Sequence, residues 1–446
     1  MKDNLPYDEI DHRYHVHPWQ NTGETVADAR ELVPRGQGVH LHDENGQRML
    51  DGPGGMWCVQ VGHGRDEIAD AMADQARTAA YCSPFSHTTE PAVRLAEKVA
   101  SLTPGDLNRV FFTTGGSTAV DTALRFVQFY NNVLGRPEKK RILSREHAYH
   151  GSTYLSAAAS GKERDRSFMD AARDQVHLLP SIKSLDRPAG QSLDAFFDAR
   201  VDDLEQAIDR LGAQRVAAFI AEPIQASGGV IVPSADYLSR CAAVCRANDV
   251  LFIADEVVTG FGRLGHWFAS EEVFGVTPDL LTTAKGLTSG YSPLGACCIS
   301  DALYNQLADH AATFAHGYTY SAHPVSCAAA LANIAIIERE SLLSHARDMG
   351  EVLQAGMATL SDLPLVREVR GAGLLGCVEC GDGQNLERDY QLGLEIDRRC
   401  QARGLLVRPI VNLCVVSPPL TITPEQIDFM VSVLRDSILE TAQARG

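Results

Sequence analysis

Three polar segments each follow a short apolar run, and their residue types suit one kind of chemistry. The first spans residues 113–118 (TTGGST) and joins a predicted strand to a predicted helix. Its glycines let the backbone approach a ligand, and the helix N-terminus offers unpaired N–H groups to an anion such as phosphate. Ser117 adds a hydroxyl that can also cap the helix. An ordinary strand-to-helix turn has the same composition, so this segment alone leaves both interpretations open.

Two adjacent acids end the strand of the second segment, residues 250–263 (VLFIADEVVTGFGR). Successive strand side chains point to opposite faces, so only one of Asp255 and Glu256 can enter a given pocket. A carboxylate at the carboxyl end of a parallel strand lies where α/β folds bind ligands, and it needs a positive partner such as a protonated pyridine nitrogen. A structural salt bridge or a helix cap would explain the same residues.

The third segment, residues 282–295 (TTAKGLTSGYSPLG), carries a lysine soon after the apolar pair Leu280 and Leu281. A lysine in a partly apolar pocket has a lowered pKa and can form a Schiff base with an aldehyde. Most lysines are solvated on the surface, and that is the alternative for Lys285. A phosphate cradle, an acid for a ring nitrogen and a reactive lysine, all at strand ends, together predict a pyridoxal 5′-phosphate site.

The elements that must position these segments alternate along the chain. Buried strands are predicted at residues 109–113, 215–221 and 250–254, and helices at residues 65–79, 90–102, 117–131 and 236–247. Such alternation predicts an α/β fold with a mostly parallel central sheet. We expect a large domain over residues 61–325. A smaller α+β domain would combine residues 1–60, including an N-terminal arm, with residues 326–446.

The smaller domain has its own signals. A hairpin is predicted to turn at Asn45-Gly46. Further strands are expected near residues 365–380 and 405–417, and a last helix from about residue 424. Because these strands lie at both ends of the chain, the two ends are expected to meet in the fold.

Composition limits the partners. The 446 residues include 40 basic and 57 acidic side chains, which gives a formal net charge of −17. An acidic surface repels nucleic-acid phosphates and anionic lipid, so no nucleic acid and no membrane is expected as a partner. The polar N-terminus lacks the apolar segment of a secretory signal, and no apolar run approaches the roughly 18 residues of a spanning helix. We therefore expect a cytoplasmic protein.

No metal site is predicted. Cys377 and Cys380 form one isolated CxxC pair without a second pair to complete a ligand set. His12, His15 and His17 lie close together near the N-terminus, but no cysteine or carboxylate pattern accompanies them. We favour an ordered N-terminal arm as the interpretation of these histidines.

The chain resembles the class III aminotransferases of fold type I, and within them the branch that uses ω-amino acids or amines with pyruvate. Two segments specific to class III carry the resemblance, residues 255–265 (DEVVTGFGRLG) and residues 284–295 (AKGLTSGYSPLG). It extends from about residue 11 to the C-terminus. The resemblance implies pyridoxal 5′-phosphate as cofactor, an amine donor and an α-keto acid as substrates, and a homodimer with shared active sites. Whether two such dimers pair into a homotetramer stays open.

The resemblance also implies which residues hold the reactive parts of the cofactor. Lys285 would bind it covalently and move the proton, and Asp255 would pair with the ring nitrogen. Gly116 and Ser117 would hold the phosphate. Thr118 stands where the family usually has an acid. The backbone donors remain, so phosphate binding is expected to survive this change.

Five further residues match positions around the ring. Val257 and Tyr149 would cover its two faces, His150 would lie beside Tyr149, and Glu222 would lie near the ring. Thr319 would reach the phosphate of the neighbouring subunit. Four of them have a structural alternative, since Tyr149 and Val257 could belong to the core, Thr319 could cap a helix and Glu222 could start a turn.

Four residues match the walls of the substrate pocket in the ω-branch. Trp57, Phe85 and Tyr149 would form a narrow aromatic pocket. Arg408 would bind the substrate carboxylate with two parallel hydrogen bonds and swing aside for uncharged amines. Val411-Asn412 stands where the family usually has a Gly-Asp turn after this arginine, which leaves the mobility of Arg408 open. A surface arginine that packs its stem is the alternative.

Two rival functions are compatible with these residues. An aminomutase, a racemase or a dialkylglycine-type decarboxylase would share Lys285 and Asp255 and differ in its second substrate. A non-catalytic binding protein on the same fold would have no chemical need for Lys285.

Overall fold

The computed structural model describes residues 6–28 and 30–445, and three β-sheets lie within them. In these residues the strands are β1 (Arg35–Gln37), β2 (His40–His42), β3 (Arg48–Asp51), β4 (Arg109–Thr113), β5 (Arg141–Arg145), β6 (Val176–Leu179), β7 (Val216–Ala221), β8 (Leu251–Asp255), β9 (Leu280–Thr283), β10 (Gly295–Ile299), β11 (Val366–Ala372), β12 (Leu375–Cys380), β13 (Leu405–Leu406), β14 (Arg408–Ile410) and β15 (Leu413–Val416).

Helices connect and cover the sheets. They are α1 (Tyr7–Tyr14), α2 (Gly54–Trp57), α3 (Asp66–Ala79), α4 (Glu90–Leu102), α5 (Gly116–Val133), α6 (Tyr154–Ala159), α7 (Leu193–Leu211), α8 (Tyr237–Ala247), α9 (Ala269–Glu272), α10 (Asp301–Gln306), α11 (Pro324–Arg339), α12 (Leu342–Ala358), α13 (Leu386–Ala402) and α14 (Pro424–Arg445). Short 3₁₀ turns lie at Val26–Asp28, Glu163–Arg166, Ser184–Asp186, Ala213–Arg215, Lys285–Leu287 and Ala308–His310. None of the described helices is long and apolar enough to cross a lipid bilayer.

The central sheet has the strand order β4-β10-β9-β8-β7-β5-β6. Strands β6, β5, β7, β8 and β9 pair in parallel, and β10 runs antiparallel to both β9 and β4. The carboxyl ends of β4, β5, β7, β8 and β9 therefore meet at one edge. This arrangement confirms the predicted α/β class with a mostly parallel central sheet.

Apolar side chains cover both faces of this sheet. On β7, Phe219 packs into the cluster that contains α7 and α8, whereas Ala218 and Ile220 pack into the cluster that contains α5. On β8, Phe252 and Ile253 divide in the same way. Strands buried on both faces have continuous apolar sequences because neither set of alternating side chains meets water. The predicted strands and helices of this region agree with the observed ones to within two residues.

The two smaller sheets draw on the ends of the chain. The hairpin of β2 and β3 pairs antiparallel, as predicted, and Leu50 of β3 pairs in parallel with Leu405 of β13. The remaining sheet has the order β11-β12-β15-β14 and carries Arg408 on β14. The pairing of β3 with β13 joins the two ends of the chain. The boundaries at residues 60 and 325 stay a prediction.

A buried cation joins three distant parts of the chain. Arg263 has no exposed surface. Its guanidinium donates to the carbonyl oxygens of Leu374 and Pro418 and to the side-chain oxygen of Gln60. Burial lowers the pKa of Arg263 to about 9. Each acceptor therefore relies on this side chain in a region that water does not reach.

Replacing Arg263 by methionine keeps much of the side-chain volume and removes the donors. We expect the Arg263→Met variant to lose about 1–3 kcal/mol of unfolding free energy for each acceptor that is left without a donor. A buried acceptor has given up its hydrogen bonds to water on folding, and without Arg263 nothing replaces them. Thermal or denaturant unfolding measures the loss. Arg77→Met is the matched control, because the Arg77 side chain is 75% exposed and pairs only with exposed Asp74. Equal stability of the two variants would contradict the role of Arg263.

Candidate active site

A cavity of about 770 Å³ opens at the carboxyl edge of the central sheet. Strand β14 of the C-terminal sheet supplies its far wall. The structure brings ten of the predicted residues to its lining, namely Trp57, Gly116, Ser117, Tyr149, His150, Glu222, Asp255, Val257, Lys285 and Arg408. Residues that are up to about 350 positions apart in the chain thus surround one space, because the carboxyl ends of parallel strands collect there.

Lys285 lies two residues after the end of β9 and lines the cavity. Its Nζ lies 5.5 Å from the centre of the Trp57 ring. Burial lowers the pKa of Lys285, and Arg408 lowers it further, while Asp255 and Glu222 oppose the shift. The backbone at Lys285 has a φ of 42°, which is unusual outside glycine and frequent at functional sites. A lowered pKa increases the fraction of neutral amine, which is the nucleophilic form.

Asp255 is the acid that enters the cavity. Its Oδ2 lies 2.7 Å from His150 Nδ1, and its Oδ1 accepts from the Val257 amide and the Thr282 hydroxyl, both at 3.2 Å. Burial alone would lower the pKa of His150, but the hydrogen bond to Asp255 and the negative charges of Asp255 and Glu222 together outweigh burial, and the pKa is raised. His150 therefore holds the carboxylate in one orientation and balances its charge.

The neighbouring acid, Glu256, turns to the opposite side of β8. It accepts hydrogen bonds from the Thr259 hydroxyl and from the backbone amides of Ala269 and Ser270. Alternation along the strand thus separates the two acids, as expected. Glu256 stabilises the loop that leads into α9 and has no access to the cavity.

The first turn of α5 supplies the proposed phosphate cradle. Gly116 begins the helix, and Ser117 Oγ accepts from the Ser152 amide at 3.0 Å. Gly151 has a φ of 135°, and a Cβ there would lie 2.5 Å from Ser156 Oγ and 2.7 Å from Ser117 Oγ. Only glycine allows the loop after β5 to approach the helix so closely. The result is a compact site with helix N–H groups facing the cavity.

Tyr149 and Val257 lie on the walls between the cradle and the sheet. The Tyr149 hydroxyl pairs with Ser152 Oγ at 2.8 Å, and its amide donates to Glu222 Oε1 at 2.9 Å. Burial raises the pKa of Glu222 to about 7, with His150 opposing and Asp255 adding to the shift. Glu222 therefore orients the backbone of Tyr149 and can take up or release a proton near neutral pH.

Arg408 faces the cavity from β14. Its Nε is buried without a hydrogen-bond partner among the described residues. Burial lowers the pKa of Arg408, and the positive charge of Arg164 adds to this effect. Val411 closes the following turn with a φ of 63°, a strained conformation for a β-branched residue. The turn is therefore stiffer than a glycine turn, and no described residue forms a hydrogen bond or an ion pair with the Arg408 guanidinium.

Phe85 and Thr319 do not reach this cavity. The Phe85 side chain is 71% exposed and lies beside Gly317. The Thr319 carbonyl accepts from the Tyr81 hydroxyl at 2.9 Å on the same face of the molecule. Both residues lie on the surface of the single chain, away from its own lysine.

Several lining residues escaped the sequence analysis. Trp19 of the N-terminal segment lines the cavity, and its ring centre lies 6.1 Å from that of Tyr149. Lys162 lies over the same ring, with its Nζ 5.2 Å from the ring centre. The other missed lining residues include Met56, Arg164, Asp165, Leu386, Glu387 and Tyr390. No local sequence pattern predicts these residues, since they lie on loops and helix ends whose positions depend on the tertiary fold.

Comparison with known proteins agrees with this geometry. The model of the family described as aminotransferase class-III matches residues 24–438. The putrescine–pyruvate aminotransferase of Pseudomonas aeruginosa is 37% identical over 443 residues, which cover 97% of this chain and 95% of that protein.

Solved structures give the same result. An (S)-enantioselective ω-transaminase from Thermomicrobium roseum superposes with a TM-score of 0.94 at 36% identity, covering 98% of both chains. The ω-transaminase from Pseudomonas jessenii, solved in complex with PMP, superposes with a TM-score of 0.95 at 34% identity, covering 99% of both chains. The chain therefore belongs to the class III aminotransferases of fold type I, which transfer amino groups with the help of pyridoxal 5′-phosphate.

Proposed function

We propose that this chain transfers the amino group of a primary amine or ω-amino acid to an α-keto acid, with pyruvate as the acceptor. The observation that carries the proposal is the meeting of Lys285 and Asp255 in one cavity, with the Gly116–Ser117 helix start on its wall. The choice of pyruvate is supported by the similarity to the putrescine–pyruvate aminotransferase of Pseudomonas aeruginosa.

The residues present fit pyridoxal 5′-phosphate. Trp57 Nε1 and His150 Nε2 are buried and have no hydrogen-bond partner among the described residues. Buried polar atoms normally have a partner, so these two atoms are consistent with a polar ligand that binds beside them. Gly116 and Ser117 would hold the phosphate, Asp255 would hold the ring nitrogen, and Lys285 would bind the aldehyde carbon. When bound, this cofactor accepts the amino group and stores the electrons of the broken C–H bond.

The chain's own residues would perform the proton transfer and the positioning. Lys285 Nζ would remove the proton from the amine-bearing carbon of the donor, because burial lowers its pKa and so raises the fraction of neutral amine. His150, the Val257 amide and the Thr282 hydroxyl hold the Asp255 carboxylate in place. Tyr149 and Val257 would confine the reacting plane, and Trp57 excludes water beside the lysine.

Arg408 would bind the carboxylate of the keto acid. Arg408 lines the cavity, and Arg164 and Lys162 add positive charge to the same lining. The distance across the cavity from the sheet edge to β14 then separates the amino end of a substrate from its carboxylate end. This polarity suits an ω-amino acid, whose amino group and carboxylate lie at opposite ends. In an α-keto acid the carbonyl carbon is bonded to the carboxylate, so its binding would require the Arg408 side chain to turn towards Lys285.

We further propose that two chains share their active sites in a homodimer. Thr319 and Phe85 lie together on an exposed face that also carries Tyr81 and Tyr320. Exposed aromatic residues in one patch are typical of protein interfaces. On this proposal Thr319 and Phe85 of one chain would complete the cavity of the other.

The direct test is alanine formation from pyruvate with a panel of donors. The panel contains β-alanine, taurine, putrescine, γ-aminobutyrate and 1-phenylethylamine, each given to the cofactor-loaded protein. Alanine is expected with at least one donor, and its rate should fall at least about 10³-fold in Lys285→Ala because nucleophile and proton carrier are lost together. Lys140→Ala is the control, since Lys140 Nζ bonds only to Gln128 and Asn132 outside the cavity. Donor conversion without any keto acid would instead indicate a mutase, racemase or decarboxylase.

Removing the Arg408 charge should separate two substrate classes. In Arg408→Met, the KM for pyruvate should rise more than about tenfold, since charge-assisted hydrogen bonds to a carboxylate are lost. The half-reaction with 1-phenylethylamine, which has no carboxylate, should change little and serves as the internal control. Stopped-flow spectra of each half-reaction give both values. An equal loss for both substrates would place Arg408 outside carboxylate binding.

Glu222 should make stability depend on pH. Its pKa is raised from 4.5 to about 7 in the folded protein, so the folded state holds more protons between these values than the unfolded state. Unfolding free energy should therefore fall as pH rises from 4.5 to 7, by about 3 kcal/mol from this residue. In cofactor-free protein, Glu222→Gln should flatten the dependence of unfolding free energy on pH. The variant should also be less stable at every pH, because the new glutamine NH₂ group can face a backbone N–H that the carboxylate accepts from. Parallel profiles for the two proteins would contradict this assignment.

A further inference from the structure

A cluster outside the cavity has the residue types of a metal site. Helix α1 ends at Tyr14, and one carboxylate on its last turns meets two histidines that follow in the chain. Asp11 Oδ1 lies 3.1 Å from His15 Nδ1, and Asp11 Oδ2 lies 2.7 Å from His17 Nε2. One candidate ligand atom from each residue lies within 4.8 Å of the others.

The sequence analysis did not anticipate this cluster because Asp11 was not connected with the histidines. The i,i+4 spacing of a helix places Asp11 beside His15, and the chain then turns back so that His17 reaches the same carboxylate. The rings of His15 and His17 lie 4.1 Å apart between centres. The His17 amide donates to Gln20 Oε1 at 2.8 Å, which holds the turned segment in place.

We propose that Asp11, His15 and His17 bind a divalent transition-metal ion of the zinc type. Two imidazoles and one carboxylate form a three-ligand set in which water occupies the fourth tetrahedral position. Tetrahedral bonds of about 2.0–2.2 Å place ligand atoms on the order of 3.3 Å apart. The three side chains already bring one ligand atom each within 4.8 Å of the others. Mg²⁺ and Ca²⁺ prefer all-oxygen ligands, so they do not fit.

The ligands are accessible to an incoming ion. The side chains of Asp11, His15 and His17 are 27%, 62% and 19% exposed. Without an ion, the histidines pair with the carboxylate, so a metal would replace protons on the same atoms.

The site would fix the segment that precedes Trp19. His17 lies two residues before Trp19, whose ring lines the cavity beside Tyr149. An ion held by both the helix end and His17 would link α1 to this segment. The proposal does not depend on amino transfer, because all three ligands lie outside the cavity lining.

The test uses the full chain without an affinity tag, loaded with pyridoxal 5′-phosphate and freed of metal by a chelator. Zn²⁺ is titrated in competition with a chromophoric chelator. Wild type should bind one Zn²⁺ ion. His17→Ala and Asp11→Asn should bind it at least about tenfold more weakly, since loss of a residue that merely hydrogen-bonds to a metal ligand already lowers metal affinity by this much. His12→Ala is the matched control, because His12 lies on the same helix and outside the cluster. It should bind like wild type.

Hydrogen exchange gives a second, independent measurement. Addition of Zn²⁺ should slow hydrogen exchange at the backbone amides of residues 7–17 in wild type and in His12→Ala. It should leave the exchange rates unchanged in His17→Ala. Mg²⁺ at the same concentration should have no effect. Equal zinc affinity in wild type and His17→Ala would overturn the proposal, because the partly exposed thiols of Cys58 or Cys82 would then hold the ion. No binding to wild type would overturn it as well.

Discussion

The contact between Asp255 and His150 fixes the negative charge around which the cavity is arranged. Asp255 is 4% exposed, and a carboxylate at such depth is stable only when charged and hydrogen-bonded partners surround it. His150 comes from the loop after β5, two strands away from β8 in the sheet. The same contact therefore positions the β5 loop, and with it Tyr149 and the close approach of Gly151 to α5.

Charge in the cavity is separated along its length. Asp255 and Glu222 lie at the sheet edge near Lys285, whereas Arg408 faces them from β14 together with Arg164. The chain as a whole is strongly acidic, but this local group of cations allows an anionic substrate to bind. Low dielectric surroundings make each of these charges sensitive to its neighbours, which is why the pKa shifts of Lys285 and Glu222 share causes.

The positions of the chemical groups at strand ends could be predicted from the sequence. Apolar runs mark β4, β8 and β9, and parallel strands bring their carboxyl ends to one edge by geometry alone. That reasoning placed Gly116, Ser117, Asp255 and Lys285 in one site without any knowledge of loops. The α/β class and the bounds of the central helices followed from periodicity, because burial of a helix face or of a strand leaves a local pattern.

Contacts between distant segments were decided only by the tertiary structure. Trp19 meets Tyr149, Arg263 bridges to Pro418, and Asp11 joins His17 through a turn that has no periodic signature. Such contacts depend on how loops close and how sheets pack against each other. Many different local sequences are compatible with the same contact, so no local sequence pattern reveals it. The sequence by itself therefore determined which chemistry the strand ends carry. The tertiary structure decided which distant side chains surround it, because packing is a property of the whole chain and no short segment encodes it.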